Sequence, residues 1–232
     1  MRTKRVAVAI VIAGMMSFAG VAVAATFTGT VGRDTIVGTT GADVISALQD
    51  DDVVYGLAGA DRIAGGSGED EILGDGACPA GATDVEYCAT ADTPADGRDR
   101  IEGGDGDDDV RGNGNDDRLR GGDDDDLLRG DSGDDRVEGN QGDDDLRGGD
   151  GDDNLIGGIG SDDLRGGFGD DRLSATADDQ VTDLLFGGPG DDVLRSRNGS
   201  RDDVNCGLGD DRAIVDQRDR VAGNCEGVFR ND

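Results

Sequence analysis

The sequence predicts a repetitive fold of turns and short strands rather than a globular core, and three observations carry that expectation. The first is a period. From Gly103 eight nine-residue units follow without interruption: GGDGDDDVR, GNGNDDRLR, GGDDDDLLR, GDSGDDRVE, GNQGDDDLR, GGDGDDNLI, GGIGSDDLR and GGFGDDRLS. Position six is Asp in all eight and position eight is always aliphatic. The second is composition. The 232 residues include 43 Gly, no Trp and 3% aromatics, too few large side chains to build an ordinary core. The third is a formal net charge of -31, which with low hydrophobicity is the signature of disorder. A disordered acidic chain has no reason to hold Asp and an aliphatic residue two apart in fixed phase, so the period decides for a fold.

Each segment can be justified in order. Residues 1–24 read as a secretory signal peptide: a basic start (MRTKR), an apolar stretch, and Ala22-Val23-Ala24 as the cleavage pattern. Residues 29–76 carry weaker copies of the unit, placing Asp34, Asp43, Asp52, Asp61 and Asp70 at position six. Residues 77–96, with Pro79, Pro94 and Tyr87, break the phase as an insertion loop stapled by Cys78 and Cys88. The phase resumes over residues 97–174, with Asp99, Asp108, Asp117, Asp126, Asp135, Asp144, Asp153, Asp162 and Asp171 in the slot. A short insertion at 175–182 precedes further repeats at 183–214, with Asp183, Asp192 and Asp211. Residues 215–232 form a cap and tail, since a solenoid needs an atypical end over its last coil.

The four cysteines form two local pairs, Cys78 with Cys88 and Cys206 with Cys225; three connectivities exist, and short loops favour this one. A thiolate metal site would want CxxC spacing or histidine, and the chain has neither. The absence of histidine also removes the Ser-His-Asp and Cys-His nucleophile systems and the HExxH zinc motif. Carboxylates and main-chain carbonyls remain, the ligands that calcium prefers.

These units resemble the G-G-x-G-x-D-x-U-x nonapeptide of the RTX, or haemolysin-type, calcium-binding repeats. The resemblance implies an all-β, right-handed parallel β-roll, a β-solenoid in which six residues turn and bind calcium, three form a strand, and two units make one coil. It implies that position-six carboxylates of units n and n+2 share a calcium ion, giving six such pairs in the eight-unit run, from Asp108 with Asp126 to Asp153 with Asp171. The residue types agree. Gly at positions one, two and four suits positive φ and close backbone approach, with Asn115 a tolerable substitute and Asp124 and Asp50 poorer ones. Alternation in x-U-x turns only the middle side chain inward. One buried aliphatic per nine ordered residues falls short of the ordering entropy, and stacking brings acidic turns together, so calcium binding and folding are expected to be coupled.

The expected function is a secreted, extracellular calcium-binding protein with a structural, adhesive or matrix-interaction role, and not an enzyme. The competing class is a polysaccharide-active enzyme or a calcium-dependent glycan-binding module, because carboxylate pairs hydrolyse sugars and relatives carry such repeats beside catalytic domains. Repeats and caps account for nearly all of this sequence. Nucleic acid is not an expected partner, nor is stable membrane insertion once the signal is removed. The outer face offers Arg111, Arg129, Arg147 and Arg165 in one column beside Asp109, Asp145 and Asp163. Either the carboxylates offset the arginines, or the arginines contact acidic polysaccharide.

Overall fold

The structure is a computed structural model and describes residues 24–75, 97–175, 177 and 181–230. Twenty-one short strands alternate between two sheets, so that the first, third and later odd strands form an 11-stranded sheet and the even strands a 10-stranded one. All pairings are parallel and join each strand to the next but one, giving a β-solenoid of about ten turns with no helix among the described residues. The order follows from the sequence period, because two nine-residue units return the chain to the same sheet one coil on. Leu128 accordingly lies between Val110 and Leu146, its equivalents 18 residues away on either side.

Position eight fills the space between the sheets. Phe27, Ile45, Ile63, Ile101, Leu119, Val137, Leu155, Leu173 and Leu194 come from one sheet, and Ile36, Val54, Ile72, Val110, Leu128, Leu146, Leu164, Leu185 and Val204 from the other; all are buried in one continuous cluster. Positions seven and nine point outward. The strands run further than the expected three residues. A typical one, Leu127–Ser132, covers positions seven to nine and continues through one to three of the next unit. Positions two and three keep pairing because position two takes positive φ there, as at Gly149 (φ 130), and hands the chain into the turn without breaking the ladder.

The first interruption leaves the ladder intact. Strands Arg62–Ser67 and Arg100–Asp105 pair in register although residues 76–96 lie between them in the sequence, and the Gly97 N–H donates to Asp75 Oδ2 at 3.1 Å. The expected signal peptide, apart from Ala24, and the Cys78 to Cys88 staple lie outside the described residues.

At the other end, strands Arg220–Val221 and Gly227–Arg230 pair onto the last coil. Cys206, fully buried at position one, is bonded to Cys225 with the Cα atoms 5.2 Å apart. The bond closes a span of 19 residues, so Cys225→Ser is expected to lower stability by about 3 kcal/mol. Denaturant unfolding in saturating calcium measures it; an unchanged midpoint would show that the end segment holds without its staple.

Candidate metal centre

Every position-six aspartate named from the sequence is buried, at 4% exposure or less. One row, Asp34, Asp52, Asp70, Asp108, Asp126, Asp144, Asp162 and Asp183, precedes strands of the 10-stranded sheet; the other, Asp43, Asp61, Asp99, Asp117, Asp135, Asp153, Asp171, Asp192 and Asp211, precedes strands of the 11-stranded sheet. Within each row one contact repeats. The N–H of one aspartate donates to Oδ1 of its equivalent a coil later, as from Asp108 to Asp126 (2.9 Å), Asp117 to Asp135 (2.7 Å) and Asp153 to Asp171 (2.9 Å). The n and n+2 partners are therefore brought together through the main chain of one and the carboxylate of the other.

The second oxygen is different. Oδ2 of Asp52, Asp61, Asp70, Asp108, Asp117, Asp126, Asp135, Asp144, Asp153, Asp171, Asp192 and Asp211 is buried and accepts no hydrogen bond within the protein. In most units it lies against the position-one glycine of the same unit, while Asp52 and Asp211 have Ala47 and Cys206 at that position. A Cβ on Gly139 would stand 2.1 Å from Asp144 Oδ2 and 2.8 Å from the Gly157 carbonyl oxygen of the next coil; at Gly148 the corresponding distances are 2.1 and 2.6 Å, to Asp153 and Gly166. An unpartnered carboxylate oxygen and a main-chain oxygen thus face one point. Among the described residues no three acidic, His or Cys side chains gather around a common centre, so a cation held here would draw on carbonyls as well as carboxylates. That donor set is hard and all-oxygen, which fits calcium.

Position one is thus glycine for space and not for its φ, which is positive at positions two and four only. Asn115, Asp124 and Asp50 at position four do adopt positive φ (70°, 79° and 73°).

The electrostatics set the same demand. Burial pushes the carboxyls of Asp61, Asp117, Asp126 and Asp153 up to about 8 and those of Asp108, Asp144 and Asp171 to about 7, against the lowering effect of the backbone N–H. Neighbouring carboxylates, in most cases including the next one along the row, push in the same direction as burial.

Four positions near the ends depart from this pattern because the protein itself supplies the missing donor. Asp34 Oδ2 accepts the Thr30 N–H, and Asp43 Oδ2 accepts the Thr39 N–H and hydroxyl. Asp183 Oδ2 takes Asn198 Nδ2 at 3.1 Å, and Asp219 Oδ2 takes the Ser196 hydroxyl at 2.9 Å.

The rows also continue beyond the residues named from the sequence. Asp202 accepts from Asp183, Asp219 from Asp202, and Glu226 Oε2 from the Asp211 N–H at 3.0 Å. A faint echo marks Asp219, but the unit before Asp202 is one residue too long, and nothing in the spacing signals Glu226.

Outside the aspartate rows, the expected arginine column is present and internally paired. Arg129 lies 2.8 Å from Asp109, Arg147 2.7 Å from Asp145 and Arg165 3.1 Å from Asp145, while Arg111 approaches Asp109 at 3.6 Å.

Coils stacked in parallel, with carboxylate oxygens buried beside main-chain oxygens, define a parallel β-roll with rows of buried carboxylates as the class of protein. The chain matches the family described as RTX calcium-binding nonapeptide repeat (4 copies) at residues 28–63, 48–77, 95–119, 111–146, 138–173 and 182–213, well over half its length, and it belongs to that family. A comparison with curated proteins finds no match.

A carboxyl raised by burial in the folded state keeps its proton there while the unfolded chain gives it up. The contribution of these groups to stability without calcium is therefore expected to be fully present below about pH 4 and to be lost as pH rises to about 8. In chelator, the strand signal in circular dichroism should grow from pH 8 to pH 5; a flat response across that window would refute the burial argument.

Proposed function

We propose that this is a secreted, calcium-dependent structural protein, in which the position-six aspartates of the interior coils hold calcium between successive turns and folding waits on the ion. The observation that carries the reading is the column of buried Oδ2 atoms with no donor in the protein. A divalent ion offsets the charge, satisfies the orphan oxygen and ties together coils that a single aliphatic row holds weakly. Calcium binding is the property of the family.

Export is proposed from the N-terminal signal pattern, with the Cys206 to Cys225 bond in keeping with an oxidising compartment. Outside the cell, calcium near the roughly 10⁻⁴ to 10⁻³ M affinities of extracellular modules would fill the sites, whereas inside the chain would stay expanded for export. A structural role rather than a catalytic one is proposed because the repeats extend over residues 28–213 and consume the carboxylates in their turns.

A calcium titration followed by circular dichroism and X-ray scattering tests this directly. Strand content and compaction should rise together and cooperatively; equal strand content in chelator at pH 8 would sink the proposal. The sites are also expected to be unequal. Asp126→Asn, at an orphan oxygen, should reduce the number of ions counted by calorimetry and raise the folding midpoint in calcium. Asp43→Asn, where Thr39 already supplies the donors, should leave the ion count unchanged.

A further inference from the structure

The 11-stranded sheet presents a row of arginines of which three make no ion pair among the described residues. Arg62, Arg100, Arg118 and Arg136 occupy position seven and are direct register partners, so they stand in line at the strand spacing of about 4.8 Å. Glu138 takes Arg136 and, at 2.9 Å, Arg120. Arg62, Arg100 and Arg118 are exposed and make no ion pair or side-chain hydrogen bond among the described residues. Like charges directly opposite one another weaken a sheet. The other sheet answers this with aspartates that pair its arginines; here Glu102, exposed two residues from Arg100, is the acidic neighbour, and among the described residues it forms no ion pair with the row.

The chain carries a complement to that row on its turns. Asp134, Asp152, Asp170, Asp191 and Asp210, at position five, are exposed and follow one another coil by coil, each N–H from Asp152 onward donating to Oδ1 of the aspartate before it. Asp116 heads the same row but is already held by Arg98. Both rows take their period from the same hydrogen-bonded ladder. Two rolls with parallel axes can therefore set one carboxylate against each arginine, rung by rung, without either bending.

We propose that the row of Arg62, Arg100 and Arg118 docks onto the row of Asp134, Asp152 and Asp170 of a second copy of this chain. The two patches are different surfaces, so the contact is heterologous and extends laterally instead of closing into a dimer. Exposed ion pairs are individually weak, which makes this a low-affinity, salt-sensitive association of concentrated protein. The proposal rests on the calcium reading, because neither row exists until the coils stack and because bound ions reduce the repulsion between copies.

Sedimentation of the full chain in calcium tests it, with circular dichroism reporting the fold separately. Weight-average mass should rise with concentration beyond that of a dimer and return to the monomer value at about 1 M salt, where the screening length is about 3 Å. The triple variant R62E/R100E/R118E should stay monomeric with an unchanged calcium-induced dichroism. A D134R/D152R/D170R variant should also be monomeric alone, and mixing the two should restore association; should the aspartate variant fail to fold, the arginine variant decides alone.

A folded wild-type chain that remains monomeric at every concentration, or association indifferent to the three arginines, overturns the contact and leaves the calcium reading intact. Absence of any calcium-induced dichroism is instead the failure of the calcium reading. If the monomeric chain binds polygalacturonate through the same arginines, the occupant is a polycarboxylate glycan and the second-copy contact is wrong.

Discussion

The constraint on which everything else depends is the burial of one carboxylate per unit in rows at the spacing of stacked strands. Along the rows Oδ1 ties each to the main chain of the preceding coil, as Asp126 is tied to Asp108, and in most units Oδ2 is turned inward beside a glycine. Burying ionised groups without partners is among the most expensive things a fold can do. The core that must offset it is two files made mostly of Ile, Leu and Val, with Phe27 and Ala213 toward the ends. On the proposed reading, neutralisation by a proton or a divalent ion is a condition of the fold rather than an addition to it. The preference for glycine at position one follows, because the carboxylate oxygen and the next coil's carbonyl crowd the space a side chain would need; Ala47 and Cys206 are small residues that replace it.

The same constraint accounts for the difference between interior and ends. Thr30 and Thr39 near the start, and Ser196 and Asn198 near the finish, give the buried carboxylates donors from the protein. Solenoids generally treat their terminal coils apart because one face has no neighbour. Here the treatment is chemical as well as steric. Asp34 and Asp43 at the start and Asp183 and Asp219 near the finish are satisfied by hydrogen bonds made by the chain itself, and the disulfide holds the last segment onto the final coil, while the orphan oxygens extend from Asp52 to Asp211.

Much of this was legible in the sequence, because a ladder with one residue type per slot writes itself as a period. Asp126 and Leu128, two apart in every unit, already specify a turn residue and a core residue, and their neighbours 18 residues away specify the stacking. What escaped is whatever the period does not encode. The ten-residue step from Asp192 to Asp202 and the eight-residue step from Asp211 to Asp219 are absorbed by loop geometry, and Glu226 reaches its row with a longer side chain from an irregular segment. The row of Arg62, Arg100 and Arg118 was hidden for another reason. An insertion separates Arg62 from Arg100 by 38 positions, and only the continuing ladder shows them to be neighbours. The extent of the strands was hidden as well, since Gly-Gly reads as a turn while position two in fact carries the pairing onward.

One ladder sets the period of the buried carboxylates, the inward aliphatic files and the outward rows of arginine and aspartate alike. A roll that has not stacked has no rows at all, because residues such as Arg62 and Arg100 are far apart along the chain and meet only across a formed pair of strands. Any surface property that depends on evenly spaced charge is then created in the same event that neutralises the interior. Electrostatics acts with opposite sense in the two places: inside, like charges at strand spacing oppose folding until a cation intervenes, and outside, the same spacing turns scattered residues into a regular array. If folding waits on the ion, as proposed, the ion acts on the outer surface without touching it, by deciding whether the coils that display that surface are assembled.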